Sequence, residues 1–280
     1  FFDALVLRLR EVFGSEADTT FIRFRSSTNA EDLAAFSGAG IYDSRTGCLA
    51  DDLDGDEVGP SRCLSAAHRA FLDAEIERLT RELSEFPERT WITALIEDME
   101  EDRSEEKPVA DALRKVWRSL WNVRAFDERE FYGIDHTQAY MGVAVQPSFV
   151  LERQEAVAVT NLGVEGELPL YRVVSQLGEI GVVRPSDPSA VAETLTFRRE
   201  GASLTDLQVL VPSSLSPDGA PVWSEAQLAT LAALLFTVQD HFAAEVYSDL
   251  APLRLDMEIE LTSDERIVIK QARPYLGGAL

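Results

Sequence analysis

Lysine is scarce in this sequence. Lys107, Lys115 and Lys270 are the only three among 26 basic residues, so a phosphate contact here falls to arginine, whose planar fork can bond two oxygens. Positive charge is short altogether: 26 Lys and Arg face 49 Asp and Glu, a net charge of −23. That argues against a nucleic-acid binder or a binder of anionic membranes, since both draw on clustered basic charge. Two cysteines, Cys48 and Cys63, are too few for a disulfide scaffold. They read as free thiols in a cytoplasmic protein, with a Cys48–Cys63 bridge as the other reading. No apolar run approaches the roughly 18 residues of a membrane span. The first residues, FFDALVLRLREVF, lack a methionine and read as a helix entered midway, so the N-terminal part is expected to be truncated. Histidine is limited to His68, His136 and His241, in helical or helix-end contexts that suit structural roles better than phosphate carriage.

What is present is ordinary globular material, 45% hydrophobic over 280 residues. Helical spacing covers 4–13, 62–84, 90–99, one long run over 109–131, and 224–247. Trp117 and Trp121, four apart on the long run, read as core. TTFIRFRSS (19–27) alternates as a strand, with Ile22 and Phe24 on one face and Arg23 on the other. The second half turns to strands at 142–150, 156–162, 170–176 and 206–212, and closes with LRLDMEIELTSDERIVIKQARPY (253–275). Helices first, then mainly antiparallel strands, predict an α+β fold. Two acidic stretches stand out. Asp51, Asp52, Asp54 and Asp56 could supply Ca²⁺ oxygens, but the twelve-residue spacing of such a loop is absent, so a solvated turn is expected. Residues 97–107 read as a solvated linker.

The closing hairpin carries the chemistry. Asp256, Glu258 and Glu260 alternate with Leu255, Met257, Ile259 and Leu261. A symmetric turn at 262–265 pairs Asp256 with Gln271, Glu258 with Ile269 and Arg254 with Arg273, which makes Glu258 and Gln271 diagonal neighbours within reach of one ion. Two oxygen ligands beside an arginine suit Mg²⁺ carrying nucleotide phosphates. An exposed amphipathic hairpin is the plainer alternative.

RSSTNAEDLAAFSGAG (25–40), VWRSLWNVRAFDEREFYGIDHTQAYMGVAVQPSF (116–149) and the closing segment together resemble the nucleotide-binding domain of the phosphoenolpyruvate synthase and pyruvate phosphate dikinase family, which includes the glucan water dikinases and rifampin phosphotransferase. The first block, with IYDS after it, reads closest to the glucan dikinase and synthase-like members. The resemblance implies an ATP-grasp-like fold, with lobes at 1–141 and 142–280 and a helical insertion at about 47–108. It implies that Arg25 contacts ATP phosphates, and Arg124 also, where a helix-surface ion pair with Glu128 is the alternative. It makes Gln146, Pro147, Ser148 and Phe149 the adenine hinge, and gives Mg²⁺ to Glu258 and Gln271. Arg273 becomes the catalytic residue that stabilises the transferred phosphoryl group, with Asp256 behind the metal ligand. Glu179 is a weaker candidate near the nucleotide. The implied function is an ATP-binding module of a dikinase-type phosphotransferase. It would pass the β-phosphoryl group, with release of AMP and phosphate, to a histidine on a separate phosphohistidine domain. The family's Gly-Gly-Lys segment does not occur here, so the isolated chain is expected to be inactive. The alternative is a catalytically incomplete nucleotide-binding or regulatory module.

Overall fold

The computed structural model describes residues 1–275, except 31, 34–35, 38–39, 56–57, 165, 179–181, 183–188 and 251; the side chains of 32–33 and 36–37 are also outside the description. Glu179, Asp56 and part of the 25–40 motif therefore lie outside the described residues. The architecture is α+β with a large antiparallel sheet, consistent with an ATP-grasp-like domain. The chain divides into two compact units, Phe1–Phe149 and Val150–Leu280.

In the first unit, α1 (Phe2–Phe13) leads to β1 (Ile22–Thr28). Two short strands, β2 (Asp32–Leu33) and β3 (Phe36–Ser37), precede β4 (Arg45–Gly47). Four helices follow: α2 (Ala66–Glu85), α3 (Trp91–Ser104), α4 (Val109–Ser119) and α5 (Val123–Phe131). The last strand, β5 (Met141–Pro147), pairs antiparallel with β1, which also pairs with β4. This unit thus extends beyond residue 141 and keeps β5. Ile22 and Phe24 are fully buried against α1 and α4, while Arg23 and Arg25 take the other face, as alternation requires.

Five expectations need correction here. The long helix over 109–131 is broken. Asn122 accepts a hydrogen bond from the Ala125 N–H at 2.7 Å, so it caps a new helix rather than continuing the old one. Trp117 and Trp121 are exposed, at 40% and 55%: Trp117 is on α4 beside the stripe of Val109, Ala112, Leu113 and Val116 that faces the core, and Trp121 sits in the break itself. The acidic stretch at 97–107 is mostly the C-terminal half of α3, not a linker.

The fourth concerns the cysteines, which are bridged, Cys48 to Cys63, with Cα atoms 5.8 Å apart. The acidic loop between them is a clamp rather than a solvated turn. Asp51 is buried and accepts from the N–H groups of Arg62 and Lys107, both at 2.8 Å. Asp52 accepts from Val109 and Ala110 at 2.6 and 3.1 Å, capping α4 from fifty-odd residues upstream in sequence. Burial pushes the Asp52 carboxyl above its ordinary range, although these two N–H groups pull it down.

The second unit is one six-stranded antiparallel sheet in the order β11-β10-β6-β7-β8-β9. Its strands are β6 (Gln154–Val159), β7 (Leu170–Leu177), β8 (Glu193–Glu200), β9 (Ser203–Val211), β10 (Leu255–Leu261) and β11 (Ile267–Pro274). β8 had no expectation in the sequence: four of its eight residues are charged, and one of them, Glu193, is buried, so the strand shows no clean apolar alternation. One helix, α6 (Glu225–His241), covers one sheet face and ends in a π-helical turn at Phe242–Val246. Ser224 and Gln227 start it with a reciprocal capping box. Leu231, Leu235 and Phe236 pack onto Tyr171, Phe197, Leu255 and Met257. Each such side chain, fully buried, contributes about 1.5–3 kcal/mol. Among the described residues, no helix is long and apolar enough to cross a membrane.

Candidate functional site

The first unit presents its candidates on the sheet face opposite the core. In the β1–β5 ladder Arg25 lies opposite Ala144 and Arg23 opposite Gln146, so Arg25 and Gln146 are diagonal neighbours on one face. Arg23 donates to the Thr46 hydroxyl at 3.0 Å. Pro147 ends β5, where a missing N–H costs no ladder bond. Ser148 then donates its N–H to the Phe21 carbonyl at 3.0 Å, which fixes the chain as it leaves the strand toward Phe149. A polar cavity of about 350 Å³ opens beside Arg23 and Thr46, but neither Arg25 nor Gln146 lines it.

Arg124 stands apart from this face, at the start of α5. Its guanidinium donates to the Ile41 carbonyl at 2.9 Å, and the Asn122 amide reaches the same oxygen at 3.1 Å. Among the described residues no ion pair joins Arg124 to Glu128. The helix start therefore clasps the chain as it leaves the glycine-rich segment. Arg129, which the sequence reading passed over, is fully buried beneath it. It bonds the Tyr42 hydroxyl, the Leu120 carbonyl and His136 Nδ1, at 3.3, 2.6 and 3.1 Å. His136 thus accepts from an arginine and stacks on Phe126 at 4.0 Å, a structural setting.

In the second unit, the sheet face away from α6 carries the acidic residues of β10. The uniform pairing expected for the hairpin is not the one found. Glu258 stands directly opposite Gln271, and Asp256 directly opposite Arg273; a β-bulge follows, so that Ile259 pairs with Ile269. Arg273 donates to Asp256 Oδ2 from Nε at 3.2 Å and from Nη2 at 3.0 Å. On the other side of β10, Asp256 pairs with Val159 and, through it, aligns with Arg172. Two carboxylates, an amide and an arginine thus share one face. A carboxylate and an amide side by side are hard oxygen donors that fit Mg²⁺, which fills its shell with phosphate oxygens and water. Among the described residues there is no cluster of three or more His, Cys, Asp or Glu that could hold a metal.

Beside this pair lies a buried ionic cluster that the sequence reading also missed. Lys270 Nζ is 2.8 Å from Glu260, 3.3 Å from Glu152 and 3.8 Å from Glu155. Burial, reinforced by Glu260, pushes the Glu152 carboxyl up to about 9. Burial alone would lower Lys270; the carboxylates around it outweigh that and raise it. An acidic residue at every second position of a strand was the signal available, and Glu260 continues that series from Asp256 and Glu258.

Comparison with known proteins places the chain in a family. The family model described as the AMP/ATP-binding domain of pyruvate phosphate dikinase matches residues 3–276. A phosphoenolpyruvate synthase of Aeropyrum pernix is 29% identical over 209 residues, covering 60% of this chain. The chain spans 24% of that relative's own length. A match over nearly all 280 residues, on an α+β framework with a large antiparallel sheet, shows that the chain belongs to the pyruvate phosphate dikinase AMP/ATP-binding domain family.

Proposed function

We propose that the chain is the ATP-binding module of a dikinase-type phosphotransferase, in which a phosphoryl group passes from ATP to a histidine on a separate domain. The observation that carries this reading is the Glu258–Gln271 pair, with Arg273 two residues along the same face. Glu258 and Gln271 would hold Mg²⁺, which supplies charge neutralisation to the phosphates when bound. Arg273 would lean from Asp256 toward the transferring phosphoryl group, where a fixed guanidinium stabilises charge without reorganising solvent. Arg25, in the middle of β1, would meet phosphate oxygens, and the segment from Gln146 to Phe149 would receive adenine through backbone groups. Arg124 holds Ile41 at the end of the glycine-rich segment and would bond phosphate on release from that carbonyl.

Two of the three histidines are poor acceptors. His68 is buried, and His136 is stacked and bonded on both ring nitrogens. Their settings favour an acceptor on another domain. The test is calorimetry of the chain with Mg·ATP, alongside an assay for AMP. Weak binding that Glu258→Gln abolishes, without AMP formation, supports the reading. Binding indifferent to both Mg²⁺ and Glu258 counts against it, and AMP release by the chain alone overturns the need for a second domain.

A further inference from the structure

The hairpin that carries Gln271 and Arg273 changes register once. From the turn, Leu261 pairs with Ile267, Glu260 with Val268 and Ile259 with Ile269. Continued unbroken, that ladder would set Gln271 opposite Met257 and Arg273 opposite Leu255. Met257 and Leu255 are fully buried under α6, so both polar side chains would turn into the core. Instead β11 contributes one extra residue, and beyond it Gln271 faces Glu258 and Arg273 faces Asp256. The apolar residues of β11 that pack on the core confirm the skip: Ile267 and Ile269, then Ala272. The extra residue is Lys270, whose ammonium lies on the same side as Glu260, Glu155 and Glu152. A bulge can in principle move along a strand, and its place is set by where the inserted residue finds partners. Lys270 has three carboxylates within 4 Å at this one position.

We propose that Lys270 is a positioning residue: pinned jointly by the carboxyl groups of Glu152, Glu155 and Glu260, so that no one of them is indispensable, it fixes the β-bulge that turns Gln271 and Arg273 to the face of Glu258. The register claim stands on the hairpin alone; its consequence for the nucleotide rests on the function proposed above.

The experiment uses this chain in a Glu260→Met background, so that no fully buried carboxylate is left without its cation. Three forms are compared: the background itself, the same with Lys270→Met, and the same with Lys270 deleted. Deletion removes the bulge yet keeps Gln271 opposite Glu258 in an unbroken ladder, whereas Lys270→Met keeps the extra residue and loses its anchor. NMR contacts between the backbones of Glu258 and Gln271 should persist in the background and the deletion form, and weaken or double in the substituted one. Mg·ATP affinity should follow, falling about tenfold only with Lys270→Met. Should substitution and deletion lose affinity alike, or should Lys270→Met lose it with the Glu258–Gln271 contact intact, Lys270 is not a positioning residue. If the register behaves as stated but no form binds Mg·ATP, the positioning role holds and the nucleotide reading fails. In the otherwise native chain, Lys270→Arg keeps both contact and affinity; its failure with a folded protein would also count against anchoring by charge.

Discussion

Arg273 is held by Asp256, its direct partner across the closing hairpin, through two N–H groups on one carboxylate oxygen. The acidic residue thus aims the arginine, while the next acidic residue along the strand, Glu258, is left to face Gln271.

That division of labour predicts unequal effects in the complete protein. Glu258→Gln keeps size and strand fit but removes an anionic ligand, and should lower phosphoryl transfer about a hundredfold, on the order of 3 kcal/mol in the barrier. Asp256→Asn only loosens the hold on Arg273 and should cost about tenfold. Rates at saturating Mg²⁺ check this. A larger loss with Asp256→Asn would falsify the assignment of the metal ligand to Glu258.

The Glu152 carboxyl predicts a pH dependence of stability. Facing Lys270, Glu260 and Glu155, it is raised from 4.5 to about 9, so the folded chain holds its proton more tightly than the unfolded one. Its stabilising contribution is full below pH 4.5 and is lost as pH rises through about 9. One proton bound more tightly in the folded state gives a slope of at most about 1.4 kcal/mol per pH unit. Denaturant unfolding between pH 6 and 9 should show the decline, and Glu152→Gln should flatten it.

Asp52 caps α4 from a distant loop, so Asp52→Ala should destabilise the first unit by about 1–2 kcal/mol. Asp52→Asn keeps the acceptor oxygen and should recover most of that. Thermal unfolding of the three proteins is the measurement, and equal losses for Ala and Asn would show that charge, not capping, is what matters.

Reduction of Cys48–Cys63 opens a loop with a sequence separation of 15, worth about 3 kcal/mol by chain entropy. Hydrogen exchange in α4 and β4 should quicken after reduction, while exchange in β6 and β7 stays unchanged. Faster exchange in the second unit as well would mean that the two units do not unfold separately.

Much of this was legible in the residues. The alternation of β1 and β10, the helical period of α6 and the three motif blocks each carried a strong local signal. The hairpin register was not legible, because a bulge is decided by what an inserted residue can reach. Two of the three carboxylates that receive Lys270, Glu152 and Glu155, come from strand β6 and the residues before it, over a hundred positions away in sequence. The helix break at Leu120–Asn122 was in principle readable, since asparagine caps helices, but hydrophobic period carried on across it and masked the stop. The buried Arg129 looks like any surface arginine of a polar helix; only the tertiary contacts to Tyr42 and Leu120 reveal it. The clamp by Asp51 and Asp52 was hidden in the same way, because its partners are backbone groups at Lys107 and Val109.

The order of strands in the second sheet also governs when the site can form. β10 pairs with β6, its neighbour in space but far from it along the chain, and β11 then adds to β10 at the sheet edge. Contacts of such long range are slow to close, and a ribosome releases these two strands after the other four of the sheet. The sheet of β6 to β9 can therefore assemble while the acidic hairpin is still being made, with β6 waiting as an unpaired edge. Of the strands in this sheet, the two that carry the proposed metal and phosphate ligands are made after the rest, so a product terminated before β10 would keep the scaffold and lack its proposed chemistry.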